Sequence, residues 1–482
     1  MRRKVRHIIL ILSLWCIAGT AQTPVTISGS APFAAGEEIR LLVFHDLLNG
    51  IPTVATTDII DKHGHFTLKY NTNEILMAQL AIRTSSAEFF ITPANSYHFN
   101  ISMDSTLFER IDPEKYGGFL QIENTKTDTG DLNYKLNRFS KFFNQVTDAY
   151  AAQMFYYPNS GIFDTVRAII SEHFEFDYIP TNFYQAYGYY TLGSLDMLQY
   201  RKKPLLLYQK YFDNDYILYN NPAYMSLFNQ YYEGYLYYSP YISKELLEQT
   251  INENPDYPAL FNGVGRDPKL TNARLRELVI IQNLIGFLDN KEFDDGNILK
   301  LLDYIRTSTS FDKHKELITN KLSQIKTSQK LLEESTFLDE KGHKTKLKQF
   351  IGKPVYLHIF QTDCINCIRE MIIIKELNAK YGEKIQFVSL CADPRKSSYQ
   401  EFVKQYGKQF DWPMLYFDGQ YDWLWQQGVE TMPDYILFNA AGSVYQRYAP
   451  APEHGLPEFL QINFPDDREE DTNPLFQNRN KQ

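Results

Sequence analysis

Two cysteines separated by Ile365-Asn366, Cys364 and Cys367, stand where an apolar run, Val355 to Phe360, gives way to a helix-like run from Ile368 to Lys380. At such a strand-to-helix turn the unpaired N–H groups and the positive dipole end of the helix favour a thiolate over a thiol. The thiolate attacks disulfides and ligates metals, so the pair reads as a redox dithiol. Cys391 ends a different apolar run, and Cys16 lies within the first 21 residues. Once Cys16 is set aside, the remaining cysteines are too few for the dense framework of a small secreted domain.

The elements that must carry this dithiol follow from length and pattern. At 482 residues the chain exceeds one ordinary core and suggests about three domains. The first 21 residues combine Arg2, Arg3, Lys4 and Arg6, an apolar run from Ile8 to Ile17, and the small residues Ala18-Gly19-Thr20-Ala21. These are the three parts of an export signal, with cleavage placed after Ala21. A run of about ten apolar residues is short for a bilayer core that needs about 20, so a retained anchor is the weaker reading. Trp15 ahead of Cys16 weighs against lipid attachment. No retained transmembrane segment is expected, and the mature chain belongs outside the cytoplasm. The net charge is −9, and removal of the four basic residues of the signal leaves −13, which argues against nucleic acid or anionic membrane as partners.

From residue 22 to 110 apolar residues alternate with period two. Val25-Thr26-Ile27, Ile39 to Phe44, Phe66-Thr67-Leu68, Leu80-Ala81-Ile82 and Phe89-Phe90-Ile91 predict the strands of an antiparallel β-sandwich. Asp61, His63 and His65 could be taken as metal ligands, but the stretch reads better as a hairpin turn entering a strand. Residues 111–330 change to helical periodicity. Ile298, Leu301, Leu302 and Ile305, and Leu278, Ile281, Ile285 and Leu288, predict amphipathic helices of a central α-helical domain. Twenty of the 35 tyrosines lie between Tyr150 and Tyr241. Such density suits either helix-to-helix packing or a groove for a polypeptide or glycan, and packing is the preferred reading. Residues 331–465 run strand, helix, strand, helix, hairpin, an α/β order. The polar tail, 466–482, is expected to be disordered.

This last domain resembles the thioredoxin-like fold, in particular the exported bacterial thiol-disulfide oxidoreductases of the TlpA/ResA type. The resemblance rests on Phe350-Ile351-Gly352-Lys353-Pro354-Val355 leading into the strand, on Cys364-Ile365-Asn366-Cys367, on Glu370, and on Gly428-Val429-Glu430-Thr431-Met432-Pro433 before a later strand. It implies a C-terminal thioredoxin-like α/β domain in a multidomain α+β chain. It also implies a Cys364–Cys367 disulfide in the oxidised state, attack by Cys364 on a client disulfide, and release of the client by Cys367. Glu370, one helical turn past Cys367, is the first candidate to accept the Cys367 proton, and His358 the second. Pro433 is expected to be cis, leaving the Met432 backbone to pair with an extended client strand. The order of domains resembles multidomain exported proteins of Gram-negative bacteria and implies a periplasmic location. Client proteins with disulfides and an upstream membrane electron donor are the expected partners, with no cofactor and no metal.

Two departures qualify the resemblance. Asp363 and Asn366 replace the tryptophan and proline usual before the two cysteines, and the Asp363 charge should make the Cys364 thiolate less favoured and the couple more reducing. The leading reading is thus an exported thiol-disulfide oxidoreductase acting mainly as reductant. A non-catalytic binding or scaffold protein with a structural Cys364–Cys367 disulfide is the alternative. A metal site of Cys364, Cys367, Cys391 and His358 is third. Cys391 itself is a buried bystander or an additional redox partner.

Overall fold

The computed structural model describes residues 23–464 apart from 84, 104–119, 126–128, 178, 202, 289–291, 430, 431, 441, 443 and 448. The expected export signal and the expected disordered tail lie outside the described residues, as do Glu430 and Thr431.

Eight strands make up the N-terminal part: β1 (Thr23–Ser30), β2 (Glu38–Asp46), β3 (Ile51–Ile59), β4 (His65–Thr72), β5 (Leu76–Ile82), β6 (Ser85–Ile91), β7 (Ser96–Met103) and β8 (Leu120–Asn124). They form two four-stranded sheets, ordered β4-β1-β7-β8 and β3-β2-β5-β6. Val25, Ile27, Phe66, Leu68, Phe99 and Ile101 of one sheet share a core with Ile39, Leu41, Val43, Leu80, Phe89 and Ile91 of the other. Three features differ from the sequence reading. The pairing is not wholly antiparallel, because β1 runs parallel to β7, with Thr26 opposite Ser96. β3 and β7 are both absent from the expected strands: β3 shows no clean apolar face, whereas β7 does alternate, with Tyr97, Phe99 and Ile101 buried. The sheet also continues past residue 110, since β8 pairs with β7. Asp61 accepts the N–H groups of His63 and His65 and so closes the turn into β4.

Helices then run from Leu132 to Glu334. Many start at a short polar side chain that accepts an otherwise unpaired N–H: Asp131, Asn182, Asn221, Asp256, Asn272 and Asp294. Tyr190, Tyr211, Tyr224 and Tyr232 are fully buried, and Tyr190 meets Tyr224 edge-on at 4.8 Å, so these rings are packing material between helices. The helix Ala273–Phe287 corrects the amphipathic expectation. Leu275, Leu278, Val279, Ile280, Ile281, Leu284 and Phe287 bury it on every side, because it is the central helix of this bundle. Asn133, at the start of the first helix, donates to Phe90 O (2.9 Å) and accepts Phe90 N–H (2.6 Å), covering the free edge of β6 as another strand would.

The C-terminal part is built on a seven-stranded sheet ordered β10-β9-β13-β12-β11-β14-β15. Its strands are β9 (Thr336–Leu338), β10 (Lys344–Lys346), β11 (Val355–Phe360), β12 (Gln386–Cys391), β13 (Met414–Tyr416), β14 (Asp434–Phe438) and β15 (Val444–Gln446). β11, β12 and β13 are mutually parallel, and β14 is antiparallel to β11. All six residues of β11 are buried, as a strand covered on both faces requires. β13 and the last helix, Leu456–Asn463, were not anticipated, the strand being only three residues long. Together the three parts give a mixed α+β, multidomain chain.

Candidate functional site

β11 delivers the chain to the dithiol and the helix Ile365–Tyr381 carries it away. Cys364 is the N-cap of that helix, and its sulfur accepts the Cys367 N–H at 3.1 Å. The two sulfurs are bonded to each other, 2.07 Å apart, with Cα atoms 5.2 Å apart. Cys364 is half-buried while Cys367 is fully buried, and the intervening Ile365 and Asn366 are exposed. Only the first sulfur of the pair can be approached from solvent.

Glu370 lies one turn beyond Cys367 on the same buried face of the helix, followed by Met371 and Ile374. It is 4% exposed, and its carboxylate Oε2 accepts the hydroxyl of Tyr435 from β14. Burial raises its pKa, while the Tyr435 hydrogen bond opposes that rise. Burial and the neighbouring carboxylate push the Tyr435 phenol far up, so it stays a donor.

Met432-Pro433 is a cis peptide bond. Register puts it at the dithiol end of the sheet: Ile359, next to last in β11, pairs with Asp434, so Pro433 follows on beside Phe360. Arg447 secures this segment from both sides, binding Asp434 in a two-pronged pair (3.1 and 2.7 Å) and donating to Gln427 O. Another clamp crosses the dithiol helix, where Arg369 is paired with Glu453 from the loop before the last helix and donates to Asn366 Oδ1.

His358 is placed otherwise than its candidate role requires. It is buried in the middle of β11, stacked on Phe360 and Tyr435 at 5.6 and 5.8 Å, with Nδ1 3.3 Å from Ser389 Oγ and Nε2 without a hydrogen-bond partner among the described residues. Burial lowers its pKa to about 3, so the imidazole stays neutral near pH 7 and is a poor proton acceptor for a thiol. The role of proton acceptor is therefore not carried forward for His358.

Cys391 stands opposite Phe360 in the sheet, fully buried, and its thiol donates to Asp393 Oδ2 at 3.3 Å. Burial and the Asp393 charge push its pKa up, so it stays a thiol. The same Oδ2 accepts the Thr362 N–H at 3.2 Å and so fastens the turn that leads to Cys364. With Cys364 and Cys367 bonded to each other, no group of three metal-ligating side chains occurs among the described residues. The sequence reading missed Tyr435, Arg447 and Asp393. Tyr435 lies within β14, whereas Asp393 and Arg447 follow the ends of β12 and β15, and the roles of all three come from contacts that only the folded chain brings together.

A bridged dithiol at a helix start, a buried acid one turn on and a cis-proline just before the adjoining strand define a thioredoxin-like site. Residues 325–461 match the family described as Redoxin, so the C-terminal part of the chain carries a Redoxin domain. Among curated relatives, the thiol-disulfide oxidoreductase ResA of Bacillus thuringiensis is 35% identical over 109 residues, 22% of this chain and 61% of the relative. The ResA of Halalkalibacterium halodurans is 26% identical over 130 residues, 27% of this chain and 72% of the relative. The chain thus spans about 61% of the length of the first of these relatives. A thiol:disulfide interchange protein from a Bacteroides species is similar in structure at 18% identity, over 28% of this chain and 88% of that one, with a TM-score of 0.25.

Proposed function

We propose that the chain is an exported thiol-disulfide oxidoreductase whose Cys364–Cys367 couple exchanges with disulfides of client proteins, mainly as reductant. The observation that carries this reading is the asymmetry of the pair: Cys364 half-buried at the helix start, Cys367 fully buried, and Glu370 one turn behind it. In this mechanism the Cys364 thiolate attacks a client disulfide, and a client–Cys364 mixed disulfide forms. Cys367 then passes its proton to Glu370 and attacks Cys364, restoring the Cys364–Cys367 bond and expelling the client thiolate. The Met432 backbone beside cis-Pro433 would pair with the client strand. The export signal read in the sequence is the ground for also proposing a periplasmic setting, with a membrane electron donor upstream. We also propose three structural units, a β-sandwich to about residue 125, a helical unit to about 334 and the thioredoxin-like unit, in keeping with their separate hydrophobic cores.

The test is a redox titration of the mature protein in thiol/disulfide buffers, with thiols trapped by alkylation and counted by mass. The proposal expects reversible exchange at a potential between roughly −120 and −270 mV, with Cys364 the faster to alkylate. A pair that stays oxidised below about −300 mV with neither thiol accessible would instead favour a structural disulfide in a binding protein.

A further inference from the structure

The Tyr435 ring is held rigidly. It pairs with His358 across β14 and β11, stacks on the His358 ring at 5.8 Å and on Tyr356 at 5.9 Å, and is buried. Its hydroxyl reaches out of the sheet to Glu370 on the dithiol helix. Tyr356, the other phenol at this place, is engaged elsewhere, donating to Pro450 O at 2.8 Å. We propose that Tyr435 is a positioning residue for the resolving step: it holds the Glu370 carboxylate, in its ionised form, on the helix face that carries Cys367. This inference rests on the reading of Glu370 as the acceptor of the Cys367 proton.

The chemistry gives the hydrogen bond a direction. In the resolving step the Cys367 S–H proton goes to Glu370 and the Cys367 sulfur attacks Cys364. The Cys364–Cys367 bond forms, the bond from Cys364 to the client breaks, and the client sulfur leaves with the electron pair. A carboxylate that must accept a proton has to be unprotonated beforehand, and a buried one resists ionisation. A fixed phenol donor favours the ionised form and keeps it aimed. The other groups facing Glu370 are Arg369 on its own helix, Glu453 and His454 from the loop before the last helix, and Tyr356. Arg369 is already paired with Glu453, so their charges largely offset, and Tyr435 is the one among these that hydrogen-bonds the carboxylate.

The experiment reacts the reduced full chain with dithionitrobenzoate, a disulfide that releases one coloured thiolate when Cys364 attacks it and a second when Cys367 closes the bridge. Stopped-flow traces between pH 4.5 and 8.5 separate the two phases, and Cys391, being buried, contributes to neither. For Tyr435→Phe, which keeps the stacked ring, the acid limb of the second phase should move up by about one pH unit, with about tenfold slowing below it. The first phase should stay within about twofold, as a change confined to the resolving step requires. Glu370→Gln should remove the limb, and the double variant should match Glu370→Gln alone. Incorporation of 3-fluorotyrosine at position 435, a stronger donor of the same shape, should move the limb down. An unmoved limb in the Phe and fluorotyrosine proteins, with the limb lost in Glu370→Gln, overturns the Tyr435 proposal and leaves the reading of Glu370 standing. Equal slowing of both phases at every pH also overturns it, because that is a packing effect. A limb that survives Glu370→Gln overturns the reading of Glu370, and the inference with it.

Discussion

Replacing His358 with phenylalanine should cost the protein little at pH 7 and protect it against acid. The imidazole is 1% exposed and lies flat against Phe360 and Tyr435, a setting that a phenyl ring can share. Among the described residues its Nε2 has no hydrogen-bond partner, and a buried orphan of this kind costs about 1–3 kcal/mol. The contact given up, Nδ1 to Ser389 Oγ at 3.3 Å, is long, and Ser389 keeps the Trp412 Nε1 donor at 2.8 Å. Gain and loss nearly cancel, allowing for the larger ring, so the stability change at pH 7 should stay within about 1 kcal/mol.

The pH dependence is the sharper part of this prediction. The folded-state pKa of His358 is lowered from 6.5 to about 3. The unfolded chain therefore binds a proton that the folded chain refuses, and stability is lost as pH falls from the unfolded value towards the folded one. Between pH 7 and pH 5 this single histidine should account for about 2 kcal/mol of lost stability, which the phenylalanine variant should keep. Glu370 and Asp393 also titrate unusually, but they are common to both proteins and drop out of the difference. Tryptophan fluorescence during urea unfolding of a chain starting at residue 22 is the assay, since its tryptophans, Trp412, Trp423 and Trp425, all lie in the C-terminal part. Equal losses in the two proteins between pH 7 and 5 would refute the account of His358 as a neutral buried ring. A variant that lost the pH dependence of thiol exchange would restore His358 as a proton acceptor.

In Cys367→Ser the mixed disulfide between Cys364 and a client should accumulate, seen as a reducible heavier band on gels, while Cys364→Ser should trap none. Asp363→Asn removes a negative charge beside Cys364, which should lower that thiol's pKa, stabilise the reduced form and make the couple more oxidising by about 10–20 mV in a glutathione titration. Glu277, in the helical unit, accepts hydrogen bonds from Tyr257 and His314, each at 2.7 Å, and from Thr309. Glu277→Ala would strand the buried His314 donor and the half-buried Tyr257 and Thr309 hydroxyls, and should cost about 3–5 kcal/mol, read from the 222 nm urea transition. Because these bonds lower the Glu277 pKa despite its burial, its contribution should be present above the unfolded value of 4.5 and fade as pH falls through the lower folded value.

The dithiol and Glu370 were legible because their relation is local: Cys364, Cys367 and Glu370 lie within seven residues of one another, where helix geometry alone sets which side chains share a face. The helix caps at Asp131, Asn182 and Asn221 are local too, yet none of them was among the sequence expectations. β8 and β13 were missed for the opposite reason. They are short, and each becomes a strand by pairing with a partner already in place, β7 and β12 respectively. The helix Ala273–Phe287 misled because its apolar residues fit an amphipathic pattern until neighbours cover every side.

The sequence by itself determined which atoms can react: a dithiol at a helix start, an acid one turn beyond it, and a proline poised before a strand. Tertiary structure decided the state in which those atoms wait. Burial of β11 on both faces turned His358 from a candidate base into a neutral core ring, and burial of β12 left Cys391 an inert thiol. Pairing of β14 with β11 brought Tyr435 to Glu370 from 65 residues away. Protonation states depend on desolvation and on partners distant in the chain, and neither exists until the sheet has formed.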